Sequence, residues 1–303
     1  NDLKIEKYWN IWQVLAQPKL ELSEAEALAK TESLLLKSYT QSFANAPKPG
    51  VLLSGGYDSS SVAALLQANS SEKIKTFCIG FNEPKYNEAQ HAKRIANHLG
   101  TDHYEYYCTQ ADALALLPKL ASILDEPMGD ASIIPTTLAC QLAAQEVDSV
   151  LSADGPDELL GGYDNYLTLG KKKSLFGSVP NFATPMLRRL MQTQLAATLA
   201  SKVGISNAAE RLERFSYMLG AAENQLLKVN ASVFTPKELN QLFAEPPASL
   251  TTNYDVALGN NLIENAMALD FTTSALDAIL VKVNRAATYA GITNIEPVLN
   301  QEL

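Results

Sequence analysis

Residues 51–66 read VLLSGGYDSSSVAALL. A short apolar run enters two glycines, a carboxylate and three serines follow, and a helical pattern begins. A plain strand-to-helix turn needs one glycine and one capping side chain, so the extra small polar groups call for a chemical reason. A phosphate is held by backbone N–H groups aimed at one point, by short hydroxyl donors and by the positive end of a helix dipole. Ser54, Gly55, Gly56 and Ser59 can supply all three, the glycines by letting the backbone approach closely. Asp58 would repel a phosphate. It fits instead as a helix cap, or as a ligand for a Mg2+ that bridges to phosphate oxygens. The turn lacks the GK[ST] ending of a Walker A loop and its lysine. It therefore predicts a different phosphate loop, one that draws a cation from elsewhere. A capped glycine turn without any ligand would also account for this stretch taken alone.

The surroundings predict an α/β fold, a mostly parallel twisted sheet with flanking helices. VLLS (51–54), KTFCIGF (75–81), HYEYY (103–107) and VDSVLS (147–152) read as strands. Helices are predicted over 59–68, over 87–99 with Ala89, Ala92, Ile95, Ala96 and Leu99 on one face, from about 111 to 124, and from near Pro135 to about 145. Such sheets bind ligands at the carboxyl ends of their strands, where Ile79 and Ser152 to Asp154 would join the glycine turn. Upstream, Ser23 and Glu26 form a capping-box pattern. They open a helix over 23–43 with Ala25, Ala27, Leu28, Leu34, Leu35 and Leu36 as its face, stopped by APKPG at 46–50. Beyond about Tyr166 strand signals vanish. ERLERFSYMLGAAENQLL (210–227), TPKEL (235–239, Pro at the first helical position) and ALGNNLIENAMALDF (257–271) read as helices. The expected organisation is a lead-in and helix over 1–47, an α/β domain over 48–168, and a mainly helical part over 169–303. That last part is expected to pack over the strand ends and complete the site.

Two further constellations carry chemistry. LSADGPDELLGGY (151–163) places Asp154, Asp157 and Glu158 at a strand exit, where clustered carboxylates are costly without a cation or donors. Acidic residues in a helix's first turn would be an ordinary alternative. Beside the glycine turn, however, Asp58 and Asp157 become candidates to share one metal. ILVKVNRAATYAG (279–291) puts Lys282 and Arg285 at i and i+3, on one helical face. A cation there could serve the phosphates that the first loop leaves without a lysine; two solvated charges are the alternative.

The chain has 303 residues, 47% of them hydrophobic and 19% charged, which suits a sizeable core and excludes wholesale disorder. A net charge of −9 disfavours a dedicated nucleic-acid binder. Cys78, Cys108 and Cys140 form no CxxC and are expected to be small buried residues of a reducing compartment. His91, His98 and His103 lack metal-ligand spacing and are expected at or near the surface. No apolar run approaches the ~18 residues of a membrane span, and no signal-peptide pattern opens the chain, so a cytoplasmic protein is expected. The sequence begins at Asn1 rather than Met, which leaves flanking segments open.

These stretches resemble the synthetase domain of the asparagine synthase family, of the PP-loop, adenine nucleotide α-hydrolase-like type. YWNIWQ (8–13) resembles the lead-in and GVLLSGGYDSSSVAAL (50–65) the pyrophosphate loop. KTFCIGFNEPKYNEAQHAKRIANHLGTDHYEY (75–106) and LDEPMGDASIIPT (124–136) resemble the intervening pattern. LSADGPDELLGGY resembles the second loop, and AILVKVNRAATYAG (278–291) the lysine motif. The resemblance implies an ATP- and Mg2+-dependent ligase. A carboxylate would be adenylated with release of pyrophosphate, and ammonia or another amine would then displace AMP to leave an amide. It implies that Ser54, Gly55, Gly56, Asp58 and Ser59 hold pyrophosphate and Mg2+, and that Leu53, Ile79, Ser152 and Ala153 line the adenosine. Asp157 would share the metal, Asp154 would act on the intermediate or the amine, and Lys282 would neutralise charge on the α-phosphate. The sequence departs from the family pattern at Ala153, Pro156 and Asn284, and at TNIEPVLN (293–300), where Ile295 and Asn300 stand for a usual Arg and Asp. These departures leave the carboxylate acceptor open. A glutaminase domain precedes the synthetase domain in the family and is not among these residues, so the amine would come from solution, a partner or a further segment. Nucleic acid and membrane are not expected partners. Other readings of the residues are a nucleotide-binding scaffold without catalysis, or a PP-loop enzyme acting on RNA or in thiolation.

Overall fold

The computed structural model describes residue 4, residue 6, and residues 8–83, 85, 87–245, 252–255, 259 and 261–300. Five strands form one sheet: β1 (Pro49–Leu52), β2 (Lys75–Phe81), β3 (Asp102–Cys108), β4 (Ser149–Leu151) and β5 (Thr293–Ile295). The helices in chain order begin with α1 (Ile11–Leu15), α2 (Glu24–Asn45), α3 (Tyr57–Ala68), α4 (Ala89–Leu99), α5 (Gln110–Leu116) and α6 (Leu120–Ile123). They continue with α7 (Ile133–Ala143), α8 (Pro156–Leu160), α9 (Asp164–Gly177), α10 (Thr184–Met191) and α11 (Gln194–Lys202). The last are α12 (Ala208–Met218), α13 (Glu223–Ala231), α14 (Pro236–Leu242), α15 (Leu262–Asp270) and α16 (Leu280–Ala290). None is long and apolar enough to cross a membrane among the described residues.

Every strand pairing is parallel, and the order across the sheet is β3-β2-β1-β4-β5. From β1 the chain winds outward through β2 and β3, then returns to place β4 on the other side of β1. The carboxyl ends of β1 and β4 therefore diverge at a switch point, where open α/β sheets form their ligand crevice. Val51, Phe77, Val150 and Leu151 are fully buried, as strands covered on both faces require. One core joins Val51 and Leu53 to Val62 and Leu66 of α3, Ala92 and Ala96 of α4, and Tyr39 of α2. A second joins Phe77 and Val150 to Ile133 and Cys140 of α7, and to Ala286 and Ala287 of α16.

The four expected strands are present, β2 at the expected residues and the others shifted by one or two at their ends. Strand structure does not end near Tyr166 as expected: β5 pairs with β4, Ser149 opposite Thr293 and Leu151 opposite Ile295. The three residues of β5 hold too little pattern to announce a strand, and the edge of β4 recruits them. The Ser23–Glu26 capping box forms as read. The buried part of α2, however, is its second half, around Ser38 and Tyr39, and Leu28 is 64% exposed. The Thr235 cap of α14 forms a capping box, with Pro236 in its first turn.

The chain divides into two compact units that are not consecutive blocks of sequence: Asn1–Gln17 with Gly161–Thr272, and Pro18–Leu160 with Thr273–Leu303. The second holds the sheet, α2 and α16. The first is helical, without a strand among its described residues. Its core is built from Tyr166, Leu169, Phe176, Met218, Leu226, Leu262 and Leu269.

Candidate active site

β1 ends at Leu52, and its continuation is tied to β2 by the Leu53 N–H, which donates to the Phe77 carbonyl (2.8 Å). The glycine turn follows. Gly55 has φ +91°, and a Cβ there would stand 2.9 Å from the Ala92 backbone nitrogen, so the turn tolerates no side chain at this point. The Ser54 N–H donates to Ser59 Oγ (3.2 Å), the two hydroxyls are 3.0 Å apart, and the Gly56 N–H donates to Ser54 Oγ (3.3 Å). The N-cap of α3 is Gly56, with no side-chain capping bond. Asp58 is thus not the cap; it sits in the first turn of a helix that begins at Tyr57, and no side chain of the N-cap residue bonds the first-turn N–H groups of α3.

β4 delivers the second loop. Its exit passes Ser152 and Ala153 to Asp154, turns at Gly155 (φ +108°) and enters α8, which carries Asp157 in its first turn. Lys282 comes from α16. Its Nζ donates to Asp130 Oδ2 (3.0 Å) and Ser132 Oγ (2.9 Å), and its side chain is only 14% exposed. Arg285, one turn on, is 43% exposed and pairs with Asp125. The two cations on one predicted face therefore part company, and only Lys282 reaches the cavity.

That cavity, about 390 Å³, is bordered by Leu53, Ser54, Gly56, Asp58, Ser59, Ile79, Ser152, Ala153, Asp154, Asp157 and Lys282. Of the residues singled out from the sequence, Gly55, Glu158 and Arg285 are not among its walls; the part of Gly55 is the shape of the turn. Phe77, Phe81, Pro135, Thr136 and Ala139 add walls that the sequence did not announce. Asp130 and Ser132 were also missed as individuals. They lie in the quoted LDEPMGDASIIPT stretch, but nothing in that pattern says which carboxylate meets Lys282 across 152 positions. Cys78 also borders the cavity, and burial pushes its thiol up to about 12, which leaves it an inert wall. All three cysteines are free and buried, as expected.

The electrostatics are those of a site short of positive charge. Burial raises the Asp58 carboxyl above its ordinary range, and Asp157 and Asp154 raise it further. Burial likewise raises Asp154, against the pull of Lys282 and Ser152 and with a push from Asp157, and it raises Asp157. Asp130 behaves oppositely. Burial favours its neutral form, but the Ser132 hydroxyl and N–H, together with Lys282, outweigh burial and hold it below the usual carboxylate range. No group of three or more His, Cys, Asp or Glu side chains forms a ready-made metal cage among the described residues. Mg2+ does not need one, because it is commonly held by one or two carboxylates plus substrate phosphates. The mutually repelling Asp58 and Asp157 fit that donor set.

A parallel sheet covered on both faces, with a glycine turn and an acidic turn meeting at its switch point, defines an α/β protein consistent with the PP-loop fold. Residues 30–303 match the asparagine synthase family model, and the chain belongs to that family. It is similar to a putative glutamine-hydrolyzing asparagine synthetase 2 of Methanocaldococcus jannaschii, 39% identical over 44% of this chain and 26% of the relative. A putative glutamine-hydrolyzing asparagine synthetase of Mycobacterium tuberculosis is 36% identical over 39% of this chain and 18% of its own length. Glutamine-hydrolyzing asparagine synthetase 1 of Bacillus subtilis is 33% identical over the same shares. The matched part is thus about a quarter or less of these curated relatives.

Proposed function

We propose that the chain is an ATP-dependent carbon–nitrogen ligase that adenylates a carboxylate and transfers ammonia or another amine to it, releasing pyrophosphate and then AMP. The observation that carries this reading is the convergence on one cavity of the glycine turn, the uncapped amino end of α3, three aspartates and Lys282. Family membership and the names of the relatives support an amide-forming synthetase.

In this reading the β- and γ-phosphates of ATP lie against Ser54, Gly55, Gly56 and Ser59, where backbone N–H groups and the α3 dipole stabilise a leaving pyrophosphate. The adenosine lies against Leu53, Ile79, Ser152 and Ala153. Asp58 and Asp157 would hold Mg2+, which supplies charge neutralisation between phosphate oxygens when bound. Lys282, aimed by Asp130 and Ser132, sits beside the α-phosphate and stabilises the charge that grows there as the substrate carboxylate attacks. The carboxylate oxygen forms a bond to the α-phosphorus while the bond to pyrophosphate breaks. The amine then attacks the acyl carbon, AMP leaves, and Asp154 accepts the proton lost by the amine. Three free buried cysteines support a reducing, cytoplasmic setting.

A panel of small and peptidic carboxylates, each offered with Mg2+–ATP and ammonium chloride, tests the reading by pyrophosphate release. At least one carboxylate should yield AMP, pyrophosphate and amide in equal amounts. ATP that binds tightly and is never turned over with any of them would leave a nucleotide-binding scaffold instead.

A further inference from the structure

The turn that carries Asp154 is gripped by the strand beside it. The Ser152 N–H donates to the Ile295 carbonyl (3.0 Å). Two residues on, the Asp154 N–H donates to Glu296 Oε2 (3.4 Å), while Asn294 Nδ2 donates to Glu296 Oε1 (2.6 Å). Both oxygens of a single carboxylate are thus engaged: one by the Asp154 peptide, the other by the amide that aims the side chain. Leu299 closes the same turn, with its Cδ2 2.9 Å from where a Cβ on Gly155 would stand. The gripping segment is itself anchored. Pro297 and Val298 are buried, and the Ser38 hydroxyl of α2 donates to the Pro297 carbonyl. Glu296 does not border the cavity itself, and its hydrogen bond to the Asp154 peptide ties it to a residue that does.

We propose that Glu296 is a positioning residue for amide formation: its carboxylate fixes the Asp154 peptide, and through it the Asp154 side chain, in register with Lys282 at the cavity. This rests on the ligase reading above. A proton acceptor displaced by even an ångström loses much of its effect. A turn whose next residue is a glycine at φ +108° has little stiffness of its own to hold one. The grip from β5 supplies that stiffness and leaves the ATP-facing turn after β1 untouched.

The test uses the full chain with Mg2+–ATP, saturating ammonium chloride and whichever carboxylate of the panel gives the fastest pyrophosphate release. Glu296→Met keeps the length of the side chain and removes its strong acceptor. Its kcat should fall about 10–100-fold while KM for ATP stays within about two-fold. Glu296→Gln should return kcat to within about three-fold of wild type. Its Oε1 can take the Asp154 N–H. Its amide can donate to Asn294 Oδ1, which is buried without a hydrogen-bond partner in the structure, once the Asn294 amide rotates. Asn294→Ala keeps the carboxylate but removes what aims it. It should lose kcat in the same sense by a smaller factor, and it decides the matter if Glu296→Met does not fold. An unchanged kcat in the Met variant would overturn the proposal. So would a joint loss of kcat and ATP affinity, or a Gln variant no better than Met. A wild-type chain that releases no pyrophosphate with any carboxylate is a separate result. It would bring down the ligase reading, and the role of Glu296 in it, before any variant is compared.

Discussion

Lys282 is the residue on which the proposed chemistry turns most. It is nearly buried, it is aimed by Asp130 and Ser132, and it borders the same cavity as the glycine turn. Removing a preorganised donor to a developing negative charge costs about 10²–10³-fold in kcat. Lys282→Ala should show that loss in pyrophosphate release with an unchanged near-UV circular dichroism spectrum. Near-normal turnover would remove Lys282 from the site. Glu296 allows a second prediction without any substrate. Burial, and then the neighbouring Asp154 carboxyl, push it from an ordinary 4.5 up to about 7. A carboxyl raised in the folded chain keeps its proton at pH values where the unfolded chain has released it, so stability is lost as the pH climbs between these two values. Glu296→Gln cannot ionise and escapes that loss. Between about pH 5 and about pH 8 the variant should gain on wild type by on the order of 2 kcal/mol in urea unfolding. The same difference at both pH values would show that the carboxyl is not raised.

At the scale of elements, the turn after β1 and the turn after β4 each depend on a glycine that a side chain would spoil. Gly55→Ala would hold alanine at a positive φ, at roughly 1–2 kcal/mol, and press its methyl on α4 at Ala92. A lower melting temperature and at least about ten-fold weaker Mg2+–ATP binding by titration are expected; unchanged ATP affinity would mean that the turn does not face the nucleotide. Much of this architecture was legible. Continuous apolar strands such as KTFCIGF and amphipathic helices such as residues 89–99 carry their own period, and the capping boxes at Ser23 and Thr235 are local chemistry. What stayed hidden was long-range. β5 is a strand only because β4 offers an unpaired edge. The Lys282–Asp130 pair and the grip of Glu296 on Asp154 each join residues more than a hundred positions apart. Asp58 could be read as cap or metal ligand until the structure placed the cap at Gly56.

At the scale of the whole chain, one sheet gathers the proposed site. β1, β2 and β4 deliver three loops to the switch point, and α16, though far on in sequence, belongs to the same compact unit and brings Lys282. The departures from the family pattern fall at Ala153, Pro156, Asn284 and the 293–300 segment. None removes a carboxylate or the lysine from the cavity, so nucleotide chemistry is expected to persist while the identity of the acceptor stays open. The distinguishing feature of that chemistry is attack on the α-phosphate, which isotope transfer reads directly. A carboxylate substrate labelled with 18O on both oxygens, turned over with Mg2+–ATP and ammonia, should leave one labelled oxygen in the amide and pass the other to AMP. Label in orthophosphate, with ADP as the nucleotide product, would show attack at the γ-phosphate and contradict adenylation.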